Sequence, residues 1–146
     1  MLFSHPPSDF KPGAHVVSCF VEHDGHILLL YRQDHKPYGN YWGVPAGKVD
    51  PGEEHIPAVI REVFEETGIR LHSGEVMTLR TVPVRYPDSD FWYHMFKTRF
   101  ETRPAVQLNP KEHKEYRWVK PLEALTMPLI LDEDTCISME YGAGRS

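Results

Sequence analysis

Glu62, Glu65 and Glu66 are the side chains whose type and spacing could do chemistry. In a helix over residues 54–67, at about 100° per residue, all three fall within one sector about 100° wide. Two such carboxylates about 5 Å apart repel by roughly 3 kcal/mol at an effective dielectric of about 20. A divalent cation would turn that repulsion into binding, and oxygen ligands favour a hard ion such as Mg²⁺. The alternative is that the three carboxylates are ordinary solvated surface.

The helix that would carry these glutamates has clear signals at both ends. Residues 54–67 have helical periodicity, and Gly68 follows as a glycine that can end a helix. Pro57 fits a first turn but not a helix interior. We therefore expect a helix with the carboxylates on one side and a buried face on the other, formed by Ile56, Ile60, Val63, Phe64 and Thr67.

The rest of the chain is predicted to supply strands against which this helix packs. Apolar runs at residues 14–22 and 26–31 flank a short turn, which is the clearest hairpin signal in the sequence. Strands interleaved with two helices indicate a mixed α/β fold. Three further strands and a closing helix are predicted at residues 75–84, 91–101, 115–119 and 132–141. Asp132 and Glu133 are interpreted as caps of the closing helix, without a catalytic role.

Length and charge limit the classes of function. The 146 residues suffice for one domain, with residues 1–13 as an irregular lead-in and residues 142–146 as a flexible tail. Sixteen basic and 21 acidic residues give a formal net charge of −5, the wrong sign for binding duplex nucleic acid. An acidic protein that handles phosphates needs a bound cation to attract the anion.

The compartment is predicted from the cysteines and from the apolar runs. Cys19 and Cys136 are too few for a disulfide framework, which favours a reduced, cytoplasmic location. The N-terminal residues lack the pattern of a signal peptide, and no apolar run approaches about 18 residues. We therefore expect neither secretion nor a membrane partner.

Nine histidines are many for a chain of this length, and three of them are candidate metal ligands. His15, His94 and His113 include no pair at the compact spacing of a zinc site, so we expect no structural zinc. His94, on a predicted strand, is interpreted as a hydrogen-bonding residue of the core or of a pocket.

Residues 47–69 resemble the Nudix box, the 23-residue signature of the Nudix hydrolase family. Seven fixed residue types and two apolar sites match by chance with a probability on the order of 10⁻⁷ in a chain of this length. The resemblance, of MutT type, extends over nearly the whole chain and implies an α/β/α sandwich with a mixed β-sheet and a loop-helix-loop at the box. The matching residues are Gly47, Glu53, Arg61, Glu62, Val63, Glu65, Glu66, Gly68 and Ile69.

The resemblance implies a role for each polar residue of the box. The three glutamates and a backbone carbonyl would bind Mg²⁺, with Mn²⁺ as a substitute, and an ion pair would orient the loop against the helix. The implied metal ligands are Glu62, Glu65, Glu66 and the carbonyl of Gly47, and the implied supporting pair is Glu53 and Arg61.

The implied activity is hydrolysis of a nucleoside diphosphate linked to another moiety, by attack of water on phosphorus. Family members place the catalytic base either in the box or on a separate loop. Glu66 is the first candidate here and Glu115 the second, since some MutT-like members have a further base or metal carboxylate at that point. Glu115 would otherwise be a surface residue of a strand.

Arg32 and Tyr86 are candidate substrate residues. Many Nudix proteins carry an arginine near the phosphates where Arg32 lies, although it could equally be a solvated loop cation. Tyr86 lies seventeen residues beyond Ile69, where a tyrosine marks family members that act on diadenosine polyphosphates. Prolines flank Tyr86, however, and a proline near this position marks members that act on ADP-ribose. The small-molecule substrate therefore stays open among nucleoside triphosphates, dinucleotides and nucleotide sugars.

Two functions other than hydrolysis are compatible with the fold that the resemblance implies. A Nudix-fold sensor that binds a nucleotide without turnover usually has a degenerate box, whereas this one retains its glutamates. Isomerisation of isopentenyl diphosphate is disfavoured, because neither Cys19 nor Cys136 lies where the catalytic cysteine is expected. The oligomeric state, including a homodimer, is left open by the sequence.

Overall fold

Seven strands and three α-helices make up residues 1–142, the part of the chain that the computed structural model describes. The strands are β1 (Pro12–His23), β2 (His26–Arg32), β3 (Trp42–Gly43), β4 (Ala46–Lys48), β5 (Met77–Tyr86), β6 (Ser89–Phe100) and β7 (His113–Val119). The helices are α1 (His55–Thr67), α2 (Pro121–Ala124) and α3 (Glu133–Tyr141), and a single 3₁₀ turn covers Ser73–Glu75.

One mixed sheet joins the strands in the order β3-β2-β1-β6-β5, with β4 paired to β1 and β7 paired to β2. β1 and β6 run parallel, and the other pairs are antiparallel. β1 pairs with β4 at its middle, where Val17 lies opposite Gly47, and with β2 only at its end. The sheet therefore opens between β1 and β2, and β4 occupies the opening.

The two faces of the sheet carry separate hydrophobic clusters. Val17, Cys19 and Val21 of β1 pack with α1, whereas Phe20 packs in the cluster that contains residues of α3. Successive side chains of a strand point to opposite faces, so α1 and α3 lie on opposite sides of the sheet. This arrangement gives the layered α/β/α order that the sequence predicts.

Most predicted strands are present, and the short ones were missed. The hairpin between β1 and β2 turns at Asp24 and Gly25, whose positive φ values of 49° and 73° suit a two-residue hairpin loop. β3 and β4 have only two and three residues, too few to show an alternation of side chains. They hold the approach to α1 against β1 and β2.

α1 buries a face that overlaps the predicted one, since Val63 and Thr67 are buried as expected, but the face extends to Glu66. It begins at His55, one residue later than expected, and ends at Gly68 with φ 72°. Glu66 is buried within the helix face that packs on the sheet, while Phe64 is 41% exposed and lies under the guanidinium of Arg70. The prediction that the carboxylates lie opposite the buried face is wrong for Glu66, whose Oε1 accepts a hydrogen bond from the N–H of Ala46 in β4. Glu65 is exposed, as predicted.

Residues 1–142 begin with a segment that contacts the sheet and end at the close of α3. Leu2 forms an isolated antiparallel bridge with Val84, so the lead-in is irregular yet fixed at this point. Gly142 ends α3 by donating its N–H to the carbonyl of Ser138. The remainder of the expected flexible tail, residues 143–146, lies outside the described residues. No helix within residues 1–142 is long and apolar enough to cross a membrane.

Candidate active site

The carboxyl group of Glu62 lies against the backbone of Gly47. A Cβ on Gly47 would overlap this carboxyl group, so the carboxyl group can occupy this position only beside a residue without a side chain. The contact brings together two of the metal ligands implied by the resemblance. Burial raises the pKa of Glu62, and the adjacent Arg61 partly offsets this effect.

Glu66 is the most deeply buried of the three box glutamates. Its side chain points toward β4, where its Oε1 accepts a hydrogen bond of 2.9 Å from the N–H of Ala46. Burial raises the pKa of Glu66 to about 8, because the charged form loses its water, and the hydrogen bond from Ala46 acts in the opposite direction. A nearby cation would favour the ionised carboxylate.

Arg61 is the centre of an ion-pair network. Its guanidinium contacts Glu53 through two nitrogens, with Nε 2.9 Å from Oε2 and Nη2 2.8 Å from Oε1. Nη1 lies 2.8 Å from Glu62 Oε1 and 3.3 Å from Glu65 Oε1. The hydrogen bonds that Arg61 donates lower the pKa of Glu53 to about 2. The forked contact fixes the loop before α1 to the helix itself.

Glu62, Glu65 and Glu66 differ in exposure, and their oxygen atoms are ligands of the chemical type that a hard divalent cation prefers. The Glu65 side chain is 52% exposed and that of Glu62 only 13% exposed, while Glu66 is buried. The set offers only oxygen donors, beside a glycine backbone, and burial disfavours the charged form of two of them. Carboxylates of this kind are ligands that Mg²⁺ and Mn²⁺ prefer.

Arg32 and Glu115 flank this group to different degrees. Arg32 donates its Nε–H to the carbonyl of Pro37 at 2.8 Å. Burial raises the pKa of Glu66, and the positive charge of Arg32 offsets part of that rise. Glu115 lies opposite Tyr31 in the pairing of β2 with β7, and its half-exposed carboxylate contacts Arg117 at 3.3 Å. Among the described residues, no hydrogen bond or ion pair joins Glu115 to a box glutamate.

A cavity of about 540 Å³ lies beside β4. Ala46 and Lys48 of β4 line it at the side of the box, and Lys11 adds a second cation. Tyr86 also lines it, and its hydroxyl donates to the carbonyl of Leu131 at 3.2 Å. Further apolar lining comes from Val16, Val44, Val84, Phe91, Tyr93 and Ile130.

Glu133 is the cavity residue that the sequence interpretation missed. Asp132 occupies the N-cap position of α3, but its side chain makes no capping hydrogen bond. Glu133 turns inward, where its Oε1 accepts the N–H of Val44 at 2.9 Å and its buried Oε2 has no partner among the described residues. Burial raises the pKa of Glu133 to about 7. The predicted N-cap position of Asp132 is confirmed, whereas the interpretation of Glu133 as a cap is wrong, because its buried carboxyl group accepts a hydrogen bond from Val44.

Three histidines that are distant in sequence meet near the start of α1. His15 Nδ1 lies 2.9 Å from His94 Nε2, and the ring centroids of His55 and His94 are 3.8 Å apart. His94 is buried and also contacts the hydroxyl of Thr81, so the interpretation of His94 as a buried hydrogen-bonding residue is confirmed. Burial, together with the two neighbouring imidazoles, lowers the pKa of His94 to about 4.

Comparison with protein families gives one match that covers most of the chain. A NUDIX domain matches residues 10–136. An RNA pyrophosphohydrolase of Erythrobacter litoralis is 32% identical over 117 residues, covering 68% of this chain and 71% of the relative. A CTP pyrophosphohydrolase of Escherichia coli is 34% identical over 116 residues, covering 78% of this chain and 81% of the relative.

Solved structures share the fold. A MutT NUDIX hydrolase from Burkholderia pseudomallei aligns with a TM-score of 0.76 and 25% identity, over 88% of this chain and 97% of that one. The NUDIX domain of Shewanella oneidensis NrtR, complexed with ADP ribose, aligns with a TM-score of 0.75 and 22% identity, over 94% of this chain and 92% of that one. The predicted α/β/α sandwich with a mixed sheet is confirmed.

Proposed function

Because this chain belongs to the Nudix hydrolase family, and is thereby a hydrolase of phosphorus-containing anhydrides, we propose that it cleaves a nucleoside diphosphate linked to another moiety. The observation that carries this proposal is the contact of Glu62 with Gly47, beside the buried Glu66. Gly47 lies in β4, and its neighbours Ala46 and Lys48 line a cavity of nucleotide size.

The proposed cofactor is Mg²⁺, with Mn²⁺ as a substitute, held by Glu62, Glu65, Glu66 and the carbonyl of Gly47. When bound, a divalent ion neutralises pyrophosphate oxygens and makes a bound water more acidic. Arg61 orients this group of ligands, because its guanidinium joins Glu53 of the loop to Glu62 and Glu65 of the helix. The protein thereby holds its carboxylates in place before substrate arrives.

Glu66 is the proposed base that takes a proton from the attacking water. The N–H of Ala46 fixes one oxygen of its carboxyl group, which sets the orientation of the other. Burial raises the pKa of Glu66, and a bound divalent ion would favour the ionised carboxylate, which is the form that accepts a proton. Glu115, which is half-exposed and paired with Arg117, is the second candidate.

We place the nucleoside end of the substrate in the cavity. Its volume of about 540 Å³ falls within the range of small-ligand sites, and its walls are mainly apolar and aromatic. The unpartnered Oε2 of Glu133 supplies a buried polar group that could recognise the edge of a base. Lys48, within the box, supplies a cation at the side of the cavity where we place the phosphates. Tyr86 contributes an aromatic wall, and Arg32 lies near the phosphate end.

The proposed compartment is the cytoplasm. Cys19 and Cys136 are both buried and unpaired, as expected for a protein that matures in a reducing environment. Burial raises the pKa of the Cys19 thiol to about 12, which makes it a poor nucleophile.

A substrate panel with identified products tests the proposal. It should cover nucleoside triphosphates, oxidised guanine nucleotides, ADP-ribose, diadenosine polyphosphates and nucleotide sugars, each with Mg²⁺ and with Mn²⁺. Hydrolysis in ¹⁸O-labelled water followed by ³¹P NMR identifies the phosphorus that is attacked. We expect turnover of at least one nucleotide. Calorimetric binding of a nucleotide with no product would instead identify a sensor.

A further inference from the structure

His15, His55 and His94 form a cluster of imidazoles outside the carboxylate site. Each offers one nitrogen, and the three nitrogens all lie within 4.8 Å of one another. His15 Nδ1 and His94 Nε2 face each other at 2.9 Å, and the ring of His55 lies beside that of His94. No other group of three or more histidine, cysteine or acidic residues within residues 1–142 meets this distance criterion.

The fold explains why residues so distant in sequence meet. β1 and β6 are parallel, with Val17 opposite His94 and His15 opposite Trp92. His15 and Val17 therefore share one face of the sheet, the face that packs against α1. His55 is the first residue of α1, so the start of the helix completes the group over this end of the sheet.

We propose that these three histidines bind a transition-metal ion of the Zn²⁺ class. Imidazole nitrogen suits Zn²⁺, Co²⁺, Ni²⁺ and Cu²⁺, whereas Mg²⁺ requires oxygen ligands. Two nitrogens bound at about 2.0–2.1 Å to a tetrahedral ion are about 3.4 Å apart. The spacing of 2.9 Å between His15 and His94 therefore needs to widen by only about half an ångström. Three imidazoles leave the fourth position for water or another small ligand.

Thr81 supports this assignment from outside the cluster. Its Oγ1 lies 2.8 Å from Nδ1 of His94. With the Nδ1–H donating to this hydroxyl, Nε2 carries the free electron pair and faces His15. Metal-binding histidines are commonly held in this way by a second hydrogen bond on the other ring nitrogen.

The histidine site is separate from the carboxylate site and is selective for different metal ions. His55 and Glu62 are two turns apart on α1, which corresponds to about 10 Å along the helix axis. A bound ion would tie the start of α1 to β1 and β6, and so stabilise the helix that carries the box glutamates. This role does not depend on the proposed hydrolysis.

Titration with Co²⁺ in the presence of saturating Mg²⁺ tests the site. Mg²⁺ occupies the oxygen ligands, and a nitrogen-bound, four-coordinate Co²⁺ absorbs visible light far more strongly than a six-coordinate one. We expect the full-length protein to bind one equivalent of Co²⁺ with this absorption, and Zn²⁺ to displace it. Saturation with Zn²⁺ should also raise the Tm, by about 5–10 °C at a free concentration of 100 times Kd.

Variants of the less buried ligands separate this site from general metal binding. His15→Gln and His55→Gln should each weaken Co²⁺ binding at least about 100-fold and remove the Tm shift, while Thr81→Val should weaken binding about 10–100-fold. His35→Gln, at an exposed histidine elsewhere, should change neither. The proposal is overturned if Co²⁺ gives no such absorption, or if His15→Gln and His55→Gln bind it as the unmodified chain does.

Discussion

The carboxyl group of Glu62 occupies the space that a Cβ on Gly47 would need. This contact places a side chain of α1 and the backbone of β4 side by side within the box. The requirement for glycine at position 47 comes from this close approach, because Gly47 is not among the residues with positive φ. The geometry of the proposed metal site therefore depends on the absence of a Cβ at position 47.

Replacing Gly47 with Ala should displace the Glu62 carboxyl group and leave the fold intact, since a flexible side-chain end can move. A misplacement of about 1 Å costs about 100-fold in rate, so kcat/KM should fall by that order. In a Glu62→Gln background, the same change should cost much less, because both substitutions act on one contact. Equal costs in the two backgrounds would contradict this account.

Replacing Glu53 with Gln should remove the forked contact with Arg61 and reduce stability in a pH-dependent way. The pKa of Glu53 is lowered from 4.5 to about 2 in the folded protein, so its stabilisation is present above pH 4.5 and is lost as the pH falls toward 2. In urea unfolding, the unfolding free energy of the unmodified protein should exceed that of Glu53→Gln, and this difference should narrow as the pH falls over this interval. Glu54→Gln, next in sequence and exposed, should show no such gap.

Replacing Glu133 with Gln should make the protein relatively more stable at high pH. Burial raises the pKa of Glu133 from 4.5 to about 7, so the folded state retains a proton that the unfolded state releases, and wild-type stability falls as pH rises through this interval. A shift from 4.5 to about 7 corresponds to at most about 3 kcal/mol. Gln retains the acceptor for Val44 and does not ionise. Parallel pH profiles for the two unfolding free energies would contradict the burial effect.

Glu66→Gln and Glu115→Gln distinguish the two candidate bases. With saturating divalent metal, Glu66→Gln should lower kcat by about 10²–10⁴, the usual contribution of a general base. Glu115→Gln should retain full activity, since its carboxylate is half-exposed and contacts Arg117. A large loss in Glu115→Gln, with activity kept in Glu66→Gln, would reverse the assignment.

The parts of the site that could be predicted from the sequence are those close together in it. Glu53 and Arg61 lie eight residues apart and meet as expected. The burial of Glu66 could not be predicted, because a helical wheel sorts residues by polarity and ignores the backbone N–H of Ala46 that needs an acceptor. The strands were predictable where they alternate over five or more residues, while β3 and β4 were too short.

Long-range contacts account for what sequence reasoning missed. His15, His55 and His94 meet only because a parallel strand pair and the start of a helix converge. Glu133 reaches Val44 across 89 positions of the chain, so a local pattern identifies it only as a residue of a first helical turn. Such residues are found once the register of the sheet is known.

The most direct test of the central claim is kcat/KM for the best substrate of the panel, measured against free Mg²⁺. The box glutamates are proposed to act through a divalent ion, whose contribution of several kcal/mol corresponds to a rate factor of at least about 10³. The account predicts a loss of that size in EDTA, with recovery on adding Mg²⁺ or Mn²⁺, and no recovery in Glu62→Gln. Hydrolysis at the same rate in EDTA would contradict it.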